Sequence, residues 1–96
     1  MAFDQVKMLN QLRKAQKDLK KQIVEVEAGE GAVVVRINGE LKIQSVKIDP
    51  ARVDTNDIEE LEHWIEIAMR DGMAKAQELA AEKMKPLMGG LGNLGL

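Results

Sequence analysis

The apolar residues of this chain change period twice, which limits its architecture more than any other feature. From Met8 to Leu19 they recur as on one side of a helix. From Ile23 to Ile48 they alternate as in strands, and from Ile58 to Ala80 the helical spacing returns. The order predicts an α+β protomer, α-β-β-β-α, in which two helices flank an antiparallel three-stranded sheet. Phe3 and Trp64 are the only aromatic residues among 96, so Val, Ile, Leu, Met and Ala must build the core. Each of these gains less by burial than an aromatic side chain, and a second copy that adds buried area is expected: a homodimer. One domain over residues 1–86 and a flexible glycine-rich tail over 87–96 are expected.

On a helical wheel, Met8, Leu9, Leu12, Ala15, Leu19 and Ile23 fall within roughly 120° and form the inward stripe of a helix over 3–22. Phe3 and Val6 lie off that stripe, so the first turn is expected either to fray or to meet a partner chain. Ile58, Leu61, Ile65, Ala68, Met69, Gly72, Met73, Ala76, Leu79 and Ala80 form the stripe of a second helix over 55–85. Asp54, Thr55 and Asn56 supply capping side chains, Asp57, Glu59 and Glu60 favour its N-terminal dipole, and Pro86 is expected to end it.

Strands are expected over 23–28, 32–37 and 41–48, with a turn at Gly29-Glu30-Gly31 and a stop at Asp49-Pro50. A three-residue loop from Ile37 to Gly39, with Gly39 at positive φ, pairs Arg36 with Glu40, Val35 with Leu41, Val34 with Lys42 and Val33 with Ile43. That register keeps apolar residues on one face. The apolar parity moves from Leu41 and Ile43 to Val46 and Ile48, which predicts a bulge near Gln44–Ser45.

Little in the chain is equipped for chemistry. It holds no cysteine or tyrosine, and its single histidine, His63, lies among Glu59, Glu60, Glu62 and Glu66 on the polar side of the second helix. Such a histidine reads as a surface residue, and scattered glutamates as a solvated face. No catalytic residue, metal site, cofactor or small-molecule substrate is expected. Gly90-Leu-Gly-Asn-Leu-Gly95 fits G-x-G-x-x-G in letters only, since no strand precedes it and no helix follows. Trp64, Met69 and Met73 are read as core-edge or dimer-interface residues. No signal peptide and no membrane-spanning run is found, so a cytoplasmic location is expected.

Charge is the informative property. The net charge is −2, but residues 1–22 carry six cations against two carboxylates, a net of +4. Residues 54–85 carry nine carboxylates against four cations, a net of −5. Lys7, Arg13, Lys14, Lys17, Lys20 and Lys21 occupy roughly 140° of the first helix, opposite its apolar stripe. A rigid helix that sets ammonium groups against successive phosphates releases condensed counterions and binds nucleic acid without reading sequence.

The run Met8-Leu-Asn-Gln-Leu-Arg-Lys-Ala-Gln-Lys-Asp-Leu-Lys-Lys21 resembles the lysine- and glutamine-rich start of the YbaB/EbfC family of bacterial nucleoid-associated proteins. Gly31-Ala-Val-Val-Val-Arg-Ile-Asn-Gly39, Val46-Lys-Ile-Asp-Pro50 and Leu61-Glu-His-Trp-Ile-Glu-Ile-Ala-Met-Arg-Asp-Gly-Met-Ala-Lys-Ala76 continue the resemblance, with the glycine-leucine tail closing it. It implies a tweezer-like homodimer that binds DNA with limited sequence specificity and acts in nucleoid organisation and gene expression. The first-helix cations match the family's projecting basic region, with Lys75, Lys83 and Lys85 as weaker candidates. The acidic balance departs from the family's pattern. A protein-interaction module or small prefoldin-like chaperone is the alternative, ranked lower because its helical arms are longer.

Overall fold

The computed structural model describes the backbone of residues 2–92 and the side chains of residues 4–86. Helix α1 (Ala2–Lys21) leads into strands β1 (Ile23–Ala28), β2 (Val33–Asn38) and β3 (Ile43–Ile48), then a 3-10 turn (Pro50–Arg52) and helix α2 (Ile58–Gly92). The strands form one antiparallel sheet in the order β1-β2-β3.

One face of the sheet is entirely apolar. Its rows are Val24-Ile37-Ile43, Val26-Val35-Val46 and Ala28-Val33-Ile48. The other face carries the Glu25–Arg36 ion pair at 3.3 Å, with Glu27 and Lys47 nearby in register. Gln44 is the extra residue that keeps Ile43 in line with Val46 and Ile48, because Arg36 faces Ser45 while Ile37 faces Ile43. The bulge sits where the parity change requires it.

Helix α2 lies across the apolar face but covers only two of its three columns, β1 and β2. Ala68, Gly72 and Ala76, one turn apart, are buried there. A Cβ on Gly72 would stand 2.8 Å from Ile37 Cδ1, so the small residue sets how closely helix and sheet approach. Val33, Val35 and Ile37 are fully buried beneath α2. At the other end of the sheet, Ala32 N donates to Gly29 O around Glu30 and Gly31, both at positive φ, as in a type I′ turn. Trp64 packs on Gly29, where a Cβ would come within 2.5 Å of the indole.

Several expectations need correction. The β2–β3 loop has three residues but lies two positions later, at Gly39–Leu41, and the left-handed residue is Leu41 (φ 66), not Gly39. Asn38 dictates the shift: its buried Oδ1 accepts from Glu40 N (2.9 Å) and Lys42 N (3.0 Å), an Asx-type closure that outweighs the cost of a left-handed leucine. Val35 therefore pairs with Val46 and Val33 with Ile48. Strand β3 begins at Ile43 rather than Leu41 for the same reason.

The cap of α2 is Asp57, whose Oδ1 accepts from Glu60 N. Asp54 instead closes the preceding turn by accepting from Asn56 N. Ile58, placed in the inward stripe by its spacing, is 48% exposed because it begins the helix before the sheet is reached, and Leu9 (47%) and Ile23 (45%), placed in the inward stripe of the first helix, are exposed as well. Finally, Pro86 lies inside α2, which continues to Gly92. A proline lacks one helical donor and crowds the preceding turn, which bends a helix without ending it when the flanking turns hold. The expected tail thus begins as helix, and residues 93–96 lie outside the described residues.

Candidate nucleic-acid interface

Helix α1 is fixed to the sheet at its C-terminal end only. Gly39 N donates to Leu19 O (2.8 Å) and Gln22 O (3.0 Å), and Asn38 Nδ2 reaches Lys20 O (3.4 Å). The last carbonyls of a helix need external donors, and here the β2–β3 loop supplies them. Glycine at position 39 is required by proximity, since a Cβ would lie 2.7 Å from Leu19 O. Leu19 is buried in this junction, while Met8, Leu12 and Ala15 are half-buried.

The middle of α2 meets the same end of the sheet through Gly72 and Ile37, whereas Trp64 marks the opposite end. From that junction α1 and the C-terminal half of α2 project together as an arm, in a molecule measuring 64 × 22 × 15 Å.

Lys7, Arg13, Lys14, Lys17, Lys20 and Lys21 are all exposed on α1. Among the described residues, the ion pairs are Arg36–Glu25, Lys42–Glu40, Arg52–Asp49 and Arg70–Glu66, and none involves a cation of α1. Their charges therefore face solvent uncompensated at short range. Lys20 and Lys21, in the last turn, also complement the negative end of the helix dipole.

The weaker candidates differ among themselves. Lys83 and Lys85 are exposed towards the arm's end. Lys75 lines a shallow groove of about 450 Å³ between the β1 edge and α2, in the company of Glu25, Glu27 and Asp71. Three carboxylates there oppose a phosphate, so Lys75 is the least suited of the nine.

Trp64, Met69 and Met73 are half-buried and pack against the protomer's own core. What sequence reasoning missed is the third column of the apolar face: Ile43 (43% exposed), Val46 (45%) and Ile48 (44%), which α2 leaves uncovered. The expected bulge near Gln44–Ser45 already aligns the three on one face, but that α2 leaves them bare depends on the width of the sheet. Among the described residues no group of three His, Asp or Glu side chains is placed to hold a metal ion, and His63 is exposed. No described helix is long and apolar enough to cross a membrane.

The sequence profile of the YbaB/EbfC DNA-binding family matches residues 2–91. A nucleoid-associated protein of Chloroflexus aggregans is 46% identical over 87 residues, covering 91% of this chain and 87% of that protein. A nucleoid-associated protein of Syntrophobacter fumaroxidans is 43% identical over 95 residues, covering 98% of this chain and 86% of the relative. An uncharacterised protein of Helicobacter pylori, known from its crystal structure, shares the fold with a TM-score of 0.81 at 20% identity, over 91% of each chain.

Proposed function

Because the chain belongs to the YbaB/EbfC DNA-binding family, we propose that it binds duplex DNA as a homodimer, through phosphate contacts and without catalysis. The observation that carries this reading is the state of the α1 cations. All six are exposed, and none is paired with a carboxylate among the described residues. Arg13, Lys14, Lys17, Lys20 and Lys21 span two and a half turns next to the anchored end of the helix, where their position is best fixed. Contacts of this kind position a protein on DNA and carry little sequence information.

The dimer rests on the uncovered column of β3. Three aligned aliphatic side chains on the helix side of an edge strand are a patch that a second copy would cover, adding the burial that a nearly aromatic-free core lacks. Pairing doubles the cationic ridge and raises its avidity. A cytoplasmic, nucleoid-associated protein acting in nucleoid organisation and gene expression follows from this reading.

Replacing Lys14, Lys17 and Lys21 together by Glu tests it. A mobility-shift titration should show binding abolished, while the mass in solution remains that of the dimer. Undiminished binding by the triple variant would refute the assignment of α1.

A further inference from the structure

Asn38 is the only one of the four asparagines that precedes a glycine. Such a pair can react with itself, because glycine has no Cβ to hinder its nitrogen from approaching the asparagine side chain. The Gly39 nitrogen, having lost its proton to hydroxide, attacks Asn38 Cγ. The N–Cγ bond forms, the Cγ–Nδ2 bond breaks and ammonia leaves. Water then opens the cyclic imide at either carbonyl and leaves aspartate or isoaspartate.

In the folded protein both reacting groups are held in place. The Gly39 N–H donates to Leu19 O (2.8 Å) and Gln22 O (3.0 Å), which retains its proton and aims the nitrogen at the end of α1. Asn38 Oδ1 accepts from Glu40 N and Lys42 N, and Nδ2 donates to Lys20 O, so Cγ cannot swing towards Gly39. Three of these five contacts run to the last residues of α1 or to Gln22 just after it, and lifting the helix removes all three together. The hazard is built into the anchor. Only glycine fits at position 39, where a Cβ would stand 2.7 Å from Leu19 O, and glycine is also what makes the open junction reactive.

We propose that Asn38 is a self-modification site latched by α1: opening of the junction admits imide formation, and the product keeps the helix from seating again. An aspartate would still accept from Glu40 N and Lys42 N. Its second oxygen, however, stands where Nδ2 donated to Lys20 O, so a carboxylate faces the carbonyl end of α1 at a residue only 2% exposed. Burial and the helix dipole both oppose that charge. Isoaspartate lengthens the backbone by one methylene before Gly39 and carries its N–H away from Leu19 O. Helix opening is reversible and the conversion is not. The cationic face of α1 then loses its fixed end, whatever that face binds.

Full-length protein held in mildly alkaline buffer tests this, with mass spectrometry reading the change of amide to carboxyl in the peptide spanning residues 38 and 39. Conversion should be at least about tenfold slower in the folded protein than in the urea-unfolded chain, the equivalent of ~1.4 kcal/mol of opening free energy. Leu19→Ala loosens the junction but keeps the reactive pair. It should speed conversion several-fold in native buffer and leave the rate in urea unchanged. In the unmodified protein the same acceleration should appear at urea concentrations below the main unfolding transition, a readout that does not depend on the variant folding. Asn38→Asp reads the consequence: amides in the last turns of α1 should exchange with solvent about tenfold faster, while β1 and β2 keep their protection. Equal rates in folded and unfolded chains, or acceleration only with global unfolding, overturns α1 as the latch. Unchanged protection of α1 in Asn38→Asp overturns the product's effect on the helix.

Discussion

Asn38 and Gly39 supply α1 with the donors that its own sequence cannot provide. Asparagine-glycine is a strong local turn signal, and a turn does form there. What the local signal does not contain is Leu19, twenty positions earlier, whose carbonyl takes the Gly39 N–H. That is why the turn was legible and its register was not: the glycine is spent on closeness to a helix end, and the positive φ falls on Leu41. Gly39→Ala should lower the stability of the protein by about 1–3 kcal/mol, because its Cβ forces α1 away from the loop. Urea unfolding at fixed protomer concentration measures this. An unchanged midpoint would show that the junction yields without cost.

At the scale of elements, strand β3 and helix α2 define each other's limits. The periodicity of α2 announces a long packed helix, and the small residues Ala68, Gly72 and Ala76 allow it to lie close to β1 and β2. A stripe read from one helix cannot say how many strands it covers. That count depends on sheet width, so the bare column of Ile43, Val46 and Ile48 emerged only with the fold. Pro86 shows the converse limit, since an isolated residue rule stopped the helix where its neighbours carry it on. Val46→Asp places a charge in the middle of the bare column and should yield a monomer with its circular dichroism intact, as read by sedimentation. A variant that remains dimeric would place the interface elsewhere.

Across the whole molecule, charge is separated along the longest dimension. The cations of α1 are legible in the sequence because wheel position and charge are both local properties. The consequence of the acidic α2 is not, because repulsion depends on distance. Glu59, Glu60 and Glu62 lie ten to thirteen residues before Gly72, some 15–20 Å of helix from the junction where the arm begins. Charges that far off are screened at physiological salt, where the Debye length is about 8 Å. Converting the three to Gln should therefore change DNA affinity less than about twofold at 0.15 M salt. A larger gain would mean that DNA approaches the acidic pole. The central claim, that paired α1 ridges bind by neutralising phosphates, is tested most directly by titrating duplex DNA with the protein across a series of salt concentrations. Four contacts per protomer, eight in all, predict a slope of log K against log salt of about −7. A slope near zero would contradict the account.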